Sequence, residues 1–338
     1  MEIKHHIALS VTEKSQAAQA RRHAASLADS LGLSKTDASN VAIIVTELAT
    51  NLAKHATSGE LLLHGLKRRD AVGIEILALD KGPGMSNVGQ CLRDGYSSSG
   101  SLGTGLGAVQ RLSTFFDVSS VPQLGTAVLA RYWSDPKPEG FSSDGLEVGA
   151  VCIPKPGEDA CGDGWAMDNT GNRTLIMLAD GLGHGLLAAR ASQEAIRVFR
   201  QKSRLLNPRE ILGAIHEAIR GTRGAAVAVA EIDPVSRLVR FIGIGNISGS
   251  ILSRQGVKNM ISLNGIVGGE IRKLETLTYP WPDNALMVMH SDGLISHWNL
   301  ERYPGILNKC SSLIAGVLYR DYFRQTDDVA VLVARYKE

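Results

Sequence analysis

The residues best suited to chemistry in this 338-residue chain are acids placed where apolar runs end. Gly162-Asp163 stands just ahead of one such run. Leu175-Ile-Met-Leu-Ala179 leads into Asp180-Gly181-Leu-Gly-His184-Gly185, Leu286-Met-Val-Met-His-Ser291 leads into Asp292-Gly293, and Thr326-Asp327-Asp328 precedes Val329-Ala-Val-Leu-Val333. One Asp-Gly is ordinarily a turn. Four acidic stations on four strand ends can converge on one cleft, where like charges repel unless hard divalent cations with oxygen ligands hold them together. No cysteine has an arginine at the Cys-x₅-Arg interval, so the loop of a thiol-based phosphatase is missing. His184 is placed to act near a leaving group or to do no more than pack in its loop.

A second group lies upstream. Glu47 and Asn51 in VTELATNLAKHA are four apart on a helical pattern, which puts a carboxylate and an amide one turn apart on one face, able to hold a divalent ion and a water. Alone, that spacing describes any solvated helix face. It is followed by Asp80-Lys-Gly82-Pro-Gly84-Met at the end of an apolar run, an acid suited to a purine amino group beside glycines that allow close backbone approach. Then Gly100-Ser-Leu-Gly103-Thr104-Gly105-Leu106-Gly107 opens into the apolar helix Ala108-Val-Gln-Arg-Leu112, where consecutive N–H groups and the helix dipole favour phosphate oxygens. His55, one turn after Asn51, reads as structural, and nothing in the pattern makes it a phosphoacceptor.

The elements that position these groups follow from hydrophobic period. Upstream, helices are expected over 17–31 and 35–56 and strands over 61–66, 72–79 and 126–132. Downstream, strands are expected over 174–178, 225–232, 238–244, 285–290 and 329–333, with helices over 186–202 and 208–220. Between the halves, 134–145 concentrates proline, glycine, serine and charge and reads as a linker. The expected division is 1–133, linker 134–145 and 146–338, in keeping with a length of two domains at roughly 150 residues each. No internal repeat is evident.

Taken in order, E-x-x-x-N, D-x-G-x-G and G-x-G-L-G resemble the ATP-binding domain of the GHKL superfamily, and within it the anti-sigma-factor and switch serine kinases of bacterial stress modules. GTGLGAVQRLSTFFDVSSVPQLGTAVLARYW, with its late Gly125-Thr126, carries that likeness, which covers about 5–133. The resemblance implies that Asn51 holds Mg²⁺ and that Glu47 orients or deprotonates the phosphoryl acceptor. It implies that Asp80 reads adenine, with Gly82, Gly84 and Thr126 around it, and that Gly103, Thr104, Gly105, Leu106 and Gly107 line the phosphates of ATP. ADGLGHG, SDGLI and TDDVAVLVA resemble the PPM-type metal-dependent serine/threonine phosphatases of the SpoIIE-like branch, over about 146–335.

For that half the resemblance implies a binuclear Mn²⁺ or Mg²⁺ site on Asp163, Asp180, the Gly181 carbonyl, Asp292, and Asp327 or Asp328. Water activated there attacks phosphorus in line, without a protein nucleophile. Many relatives carry G-G-D-x-aromatic-D at the first station, where this chain has Cys161-Gly-Asp163-Gly-Trp165-Ala166; the second acid is missing, and Asp168 lies two residues beyond it. The fold class implied is α+β, a GHKL (Bergerat-type) α/β sandwich followed by a PPM-type α-β-β-α sandwich.

The expected function is a metal-dependent protein serine/threonine phosphatase with a switch-kinase-like ATP-binding domain, acting on a phosphorylated STAS-domain antagonist or sigma-factor regulator in partner switching. The rival reading is an ATP-dependent binding module or serine kinase with secondary phosphatase activity. Composition sets the frame. With 44% hydrophobic and 21% charged residues the chain reads as globular, and 36 basic against 34 acidic residues, with no basic block, disfavour nucleic acid. Cys91, Cys152, Cys161 and Cys310 form no C-x-x-C pair, so neither a disulfide framework nor a structural zinc is expected. No signal peptide or apolar membrane run is read, which makes the cytoplasm the default; dimerisation is left open.

Overall fold

The computed structural model describes residues 5–68, 71–92, 105–135, 145–171 and 173–336. Its backbone groups into two units, 1–142 with 299–320, and 143–298 with 321–338. Among the described residues, no helix is long and apolar enough to cross a membrane.

In the first unit, β1 (Ile7–Ser10) leads into α1 (Lys14–Ser30), whose buried side chains are the alanines Ala17, Ala20, Ala24 and Ala28. A stripe of small residues allows close approach by α2 (Lys35–His55), which buries Val41, Ile44, Val45, Leu48, Ala49 and Leu52 at the three-and-four spacing of one helix face. Ser34 caps α2 by accepting the Asp37 N–H at 3.2 Å, and Lys54 and His55 sit in its last turn, favourable to the dipole. The chain continues through β2 (Gly59–Arg68), β3 (Ala71–Asp80), the short α3 (Val88–Cys91), α4 (Gly105–Leu112), β4 (Phe115–Val121) and β5 (Gly125–Trp133). The sheet is antiparallel throughout, in the order β1-β2-β3-β5-β4. Leu61, Leu63, Ile74, Ile76, Ala78, Val128 and Ala130 face the helices in one core.

The second unit starts with β6 (Leu146–Ile153), β7 (Asp163–Asn169) and β8 (Thr174–Gly181), then α5 (Gly185–Lys202) and α6 (Pro208–Ala218). After them come β9 (Ala225–Asp233), β10 (Leu238–Ile244), β11 (Ser248–Ser253), β12 (Gly256–Met260), β13 (Leu277–Pro280) and β14 (Leu286–His290). Two 3₁₀ turns and α7 (Ser311–Tyr322) follow, and β15 (Val329–Tyr336) ends the chain's regular structure. Two five-stranded sheets result, β13-β10-β9-β8-β7 and β12-β11-β14-β15-β6. The helices α5 and α6 cover the first of them through Ala191, Ala195, Phe199, Ile211 and Ile215 against Leu175, Met177, Val227 and Val229. Ile176, Leu178, Ala228 and Ala230 on its other face, and Met287, Met289, Val331 and Val333 in the second sheet, are also buried, as a two-sheet sandwich requires.

The compact units divide differently from the expected 1–133 and 146–338, because residues 299–320 group with the first unit. There α7 lies on the sheet face that α1 and α2 leave open. A Cβ on Gly316 would stand 3.3 Å from δ-carbons of Leu77 and Leu79, and Arg131 joins Glu75 (Nε to Oε2, 2.6 Å) to the Ser312 hydroxyl (2.8 Å). Arg320 donates to the Asp80 carbonyl at 3.0 Å, pinning the end of β3. Most of the linker, 136–144, lies outside the described residues.

The turn at Gly125 shows how tightly that end is built. Gly125 has φ +88°, and a Cβ there would collide with the Asp80 carbonyl. Gly125→Ala is expected to lower stability in urea unfolding by about 2–4 kcal/mol, whereas Gly157→Ala, with φ +90° but no atom within 4 Å of the added carbon, should cost only about 1 kcal/mol.

Candidate functional site

In the first unit, α2 carries Glu47 and Asn51 on consecutive turns, and the first residue of α4 lies over them. A Cβ on Gly105 would be 3.4 Å from both Glu47 Oε2 and Asn51 Oδ1, so the N-terminus of α4 stands against a carboxylate and an amide. Gly107 is buried, and Leu106 packs on the core formed by α1, α2 and the sheet. Gly103 and Thr104 lie outside the described residues. An open groove of about 560 Å³ runs between α1 and α2, lined by Arg21, Ala38, Ala42, Ile43 and Thr46, and ends at Glu47.

Asp80 closes β3. Its Oδ1 accepts the Gly82 N–H at 2.6 Å, and burial pushes its carboxyl above the ordinary value. Ser120 accepts the Met85 N–H at 2.7 Å and shares a hydrogen bond with Thr126 at 2.9 Å, which ties the turn after Asp80 to β4 and β5. The glycines here admit protein backbone: a Cβ on Gly82 would be 2.7 Å from the His55 carbonyl, and Gly84, at φ +71°, lies against the Val121 carbonyl.

In the second unit the register of β7 with β8 sets Asp163 directly opposite Asp180. Asp292 follows β14 and Asp327 and Asp328 precede β15, the strand hydrogen-bonded to β14. The motif glycines are what let these ends converge. A Cβ on Gly162 would be 2.6 Å from Asp328 Oδ2; one on Gly293 would strike the Asp328 carbonyl, and one on Gly181 the Ala188 carbonyl of α5.

The electrostatics record the convergence. Burial first, and then Asp180, hold the Asp163 carboxyl well above the usual range. Burial, then Asp292 and Asp327, push Asp180 up to about 7. Burial also raises Asp328, although the Lys155 N–H donates to its Oδ1 at 2.9 Å. Among the described residues, no three His, Cys, Asp or Glu side chains are drawn to common ligand spacing.

Two buried oxygens, Asp163 Oδ1 and Asp328 Oδ2, have no hydrogen-bond partner. A buried carboxylate oxygen without a hydrogen-bond partner, with other acids nearby, is the environment a hard divalent cation satisfies, so the donor set fits such an ion.

Asp327 and Asp328 are distinct in place. Asp328 is 3% exposed and tied to the Lys155 backbone, while Asp327 is half-buried and accepts the Asp328 N–H at 2.9 Å. Asp168 lies at the far end of β7, where it accepts from Ser203 at 2.6 Å, so it does not supply the acid missing at Ala166.

Four neighbours were not singled out by the sequence. Ser291 donates to Asp163 Oδ2 at 2.6 Å, Asn246 Nδ2 donates to Asp292 Oδ2 at 2.7 Å, Glu158 Oε1 meets His184 Nδ1 at 2.6 Å, and the Arg223 guanidinium overlies Gly183. Only Ser291 carries a local signal, as the residue before Asp292; the others come from loops distant in sequence. The buried thiols of Cys152 and Cys161 lie 3.5 Å apart, sulfur to sulfur.

Comparison with known proteins finds two family matches along the chain. The family described as Stage II sporulation protein E (SpoIIE) matches residues 170–337, and the Histidine kinase-like ATPase domain matches residues 10–132. The serine/threonine-protein kinase RsbT of Bacillus subtilis is 34% identical over 114 residues, 34% of this chain and 86% of that kinase. The chain belongs to the RsbT family. It joins that kinase-like ATPase domain to a SpoIIE-type PPM serine/threonine phosphatase domain. The phosphoserine phosphatase RsbX of Bacillus subtilis is 26% identical over 141 residues, 41% of this chain and 70% of that enzyme. A chain from the solved structure "The bacterial stressosome: a modular system that has been adapted to control secondary messenger signaling" superposes with a TM-score of 0.53 at 30% identity, covering 57% of this chain and 100% of that one.

The raised acids set a pH dependence. A carboxyl whose folded pKa is above its unfolded value binds more protons folded than unfolded between the two, so stability falls as pH rises through that window. For Asp180 the window runs from 3.8 to about 7. In EDTA, the melting temperature of the second unit is expected to fall between pH 5 and 7.5, with a shallower fall in Asp180→Asn and a recovery on adding Mn²⁺, as read by calorimetry.

Proposed function

We propose that the chain removes phosphate from phosphoserine or phosphothreonine on a STAS-domain antagonist or sigma-factor regulatory protein, with two Mn²⁺ or Mg²⁺ ions held by its second unit. The observation that carries this reading is the convergence of five carboxylates, two of them with orphaned buried oxygens, on the ends of paired strands. Asp163, Asp180, Asp292 and Asp327 or Asp328, with the Gly181 carbonyl, are the ligands assigned; Asp328 also accepts the Lys155 N–H with its other oxygen. When bound, the ions supply charge neutralisation for the phosphate and a water acidified near neutral pH. Glu158 fixes the ring of His184 beside the site, which suits that histidine to hold or pass a proton near the leaving group.

A protein substrate suits the surroundings. Leu182, Leu186, Leu187 and Ile266 expose apolar side chains in or near the loops that follow Asp180. Such a rim offers nothing to a small phosphate ester and a contact area to a folded partner. RsbT is named a kinase and RsbX a phosphoserine phosphatase, and a chain uniting relatives of both suits the two-way control of one phosphorylated partner.

In the first unit we assign ATP to the space between α2 and the start of α4, with Mg²⁺ on Asn51, adenine on Asp80 and phosphates at 103–107. Glu47 stands both under Gly105 and at the end of the α1–α2 groove, where it can orient an acceptor hydroxyl toward a bound phosphate. We place the protein in the cytoplasm, where ATP and such partners are found.

Asp180→Asn and Asp292→Asn are each expected to cut Mn²⁺-dependent phosphate release from a phosphorylated STAS protein by roughly 10³-fold or more; turnover near wild type would remove the metal assignment. Leu186→Asp should lower kcat/KM on the phosphoprotein about tenfold while leaving p-nitrophenyl phosphate hydrolysis within about twofold. With radiolabelled ATP in the Asp180→Asn background, label is expected on the STAS protein and should fall by about 10²-fold or more in Glu47→Gln. Binding without label would reduce the first unit to an ATP-dependent docking module.

A further inference from the structure

Two uncharged side chains, neither assigned as a ligand, each hold one carboxylate oxygen of a proposed metal ligand. Ser291 is completely buried at the end of β14. Its backbone N–H donates to the Ala330 carbonyl at 3.1 Å, and its hydroxyl oxygen accepts the Ala330 N–H at 2.9 Å. With its oxygen engaged by that donor, the hydroxyl proton is free to point elsewhere, and it points to Asp163 Oδ2 at 2.6 Å. Asp163 Oδ1 is left buried and without a partner. Across the cleft, Asn246 follows the φ +98° turn at Gly245 beyond the end of β10 and donates Nδ2 to Asp292 Oδ2 at 2.7 Å. That donor must be the amide nitrogen, because the carboxylate oxygen can only accept from it while ionised.

We propose that Ser291 and Asn246 are positioning residues that preset the rotamers of Asp163 and Asp292, each engaging one carboxylate oxygen so that the other faces the cations. The inference rests on the divalent-metal reading of the second unit. Its physical basis is pre-organisation. An acid repelled by its neighbours, whether buried as Asp163 or exposed as Asp292, turns away from them unless something fixes it, and the cost of turning back lowers metal affinity. A hydroxyl clamped to β15 and an amide clamped to a tight turn remove that cost in advance, and their effect appears in metal binding rather than in chemistry once the site is loaded. The pattern is asymmetric. Asp163 and Asp292 are each held by an uncharged side chain, whereas Asp328 is held by the backbone of Lys155.

The test is calorimetric titration of the full chain with Mn²⁺ alone, for wild type, Ser291→Ala and Asn246→Ala, beside melting temperatures in EDTA and kcat measured against Mn²⁺ concentration. Both variants are expected to bind Mn²⁺ about 10- to 100-fold more weakly. Their kcat should return to within about threefold of wild type at saturating Mn²⁺, which a general loss of structure would not produce. Asn246 is exposed, so Asn246→Ala should keep the metal-free melting temperature of wild type and decides the matter if Ser291→Ala folds poorly. Wild-type or tighter Mn²⁺ binding in Asn246→Ala overturns the positioning role and leaves the metal reading standing. A wild-type chain that takes up no Mn²⁺ overturns the metal reading itself, and this proposal with it.

Discussion

Carboxylates that are brought together out of water resist being ionised together, and the second unit is organised around that resistance. Burial and mutual repulsion raise Asp163, Asp180 and Asp328 above the ordinary range. The fold nonetheless keeps their strand ends in place, because the ladders between β7 and β8 and between β14 and β15 are committed over their full lengths, and glycines at three stations remove the side chains that would hold the turns apart. A scaffold that concentrates negative charge at a cost to its own stability is suited to a ligand that supplies the missing positive charge. Stability and cation binding are then two readings of one interaction.

The first unit meets a milder version of the problem. Glu47 and Asn51 share the site between an anion and a neutral amide, and the positive end of α4 faces them, so the polar groups there offset one another before any ligand arrives. The sheet below is dry on both faces, with α1 and α2 on one and α7 on the other. The route of the chain is unusual in this respect: between Asp292 and Asp327 it leaves one unit to complete the other, and Arg320 of α7 bonds the carbonyl of Asp80. Residues that sequence assigns to the phosphatase half thereby stiffen the strand that ends in Asp80.

Elements with one wet and one dry face were legible in the sequence. The 35–56 helix, the 72–79 strand and the helices over 186–202 and 208–220 have the expected period and appear within a residue or two of the observed ends. β12 was missed because four of its five residues are exposed, which leaves no alternation to detect. α7 was missed for the opposite reason. Ser311 to Tyr319 are buried on nearly every side, and a helix without a polar face carries no amphipathic period. The acidic stations were legible as strand ends because Asp-Gly pairs after apolar runs mark turns.

Ser291 and Asn246 illustrate what stayed hidden. One hydroxyl and one amide have no meaning until the register of β14 with β15 and the turn at Gly245 set them against particular carboxylate oxygens. Sequence by itself determined the two-part composition, the residue types that can bind cations and phosphates, and the strand ends on which they stand, since these follow from local period and from the chemistry of single side chains. Tertiary structure alone decided which oxygen of each acid is held and which is left bare, which of Asp327 and Asp328 is anchored to backbone, and to which unit 299–320 belongs. Those outcomes depend on contacts between residues as many as 240 positions apart, as for Arg320 and Asp80, and no local pattern encodes them.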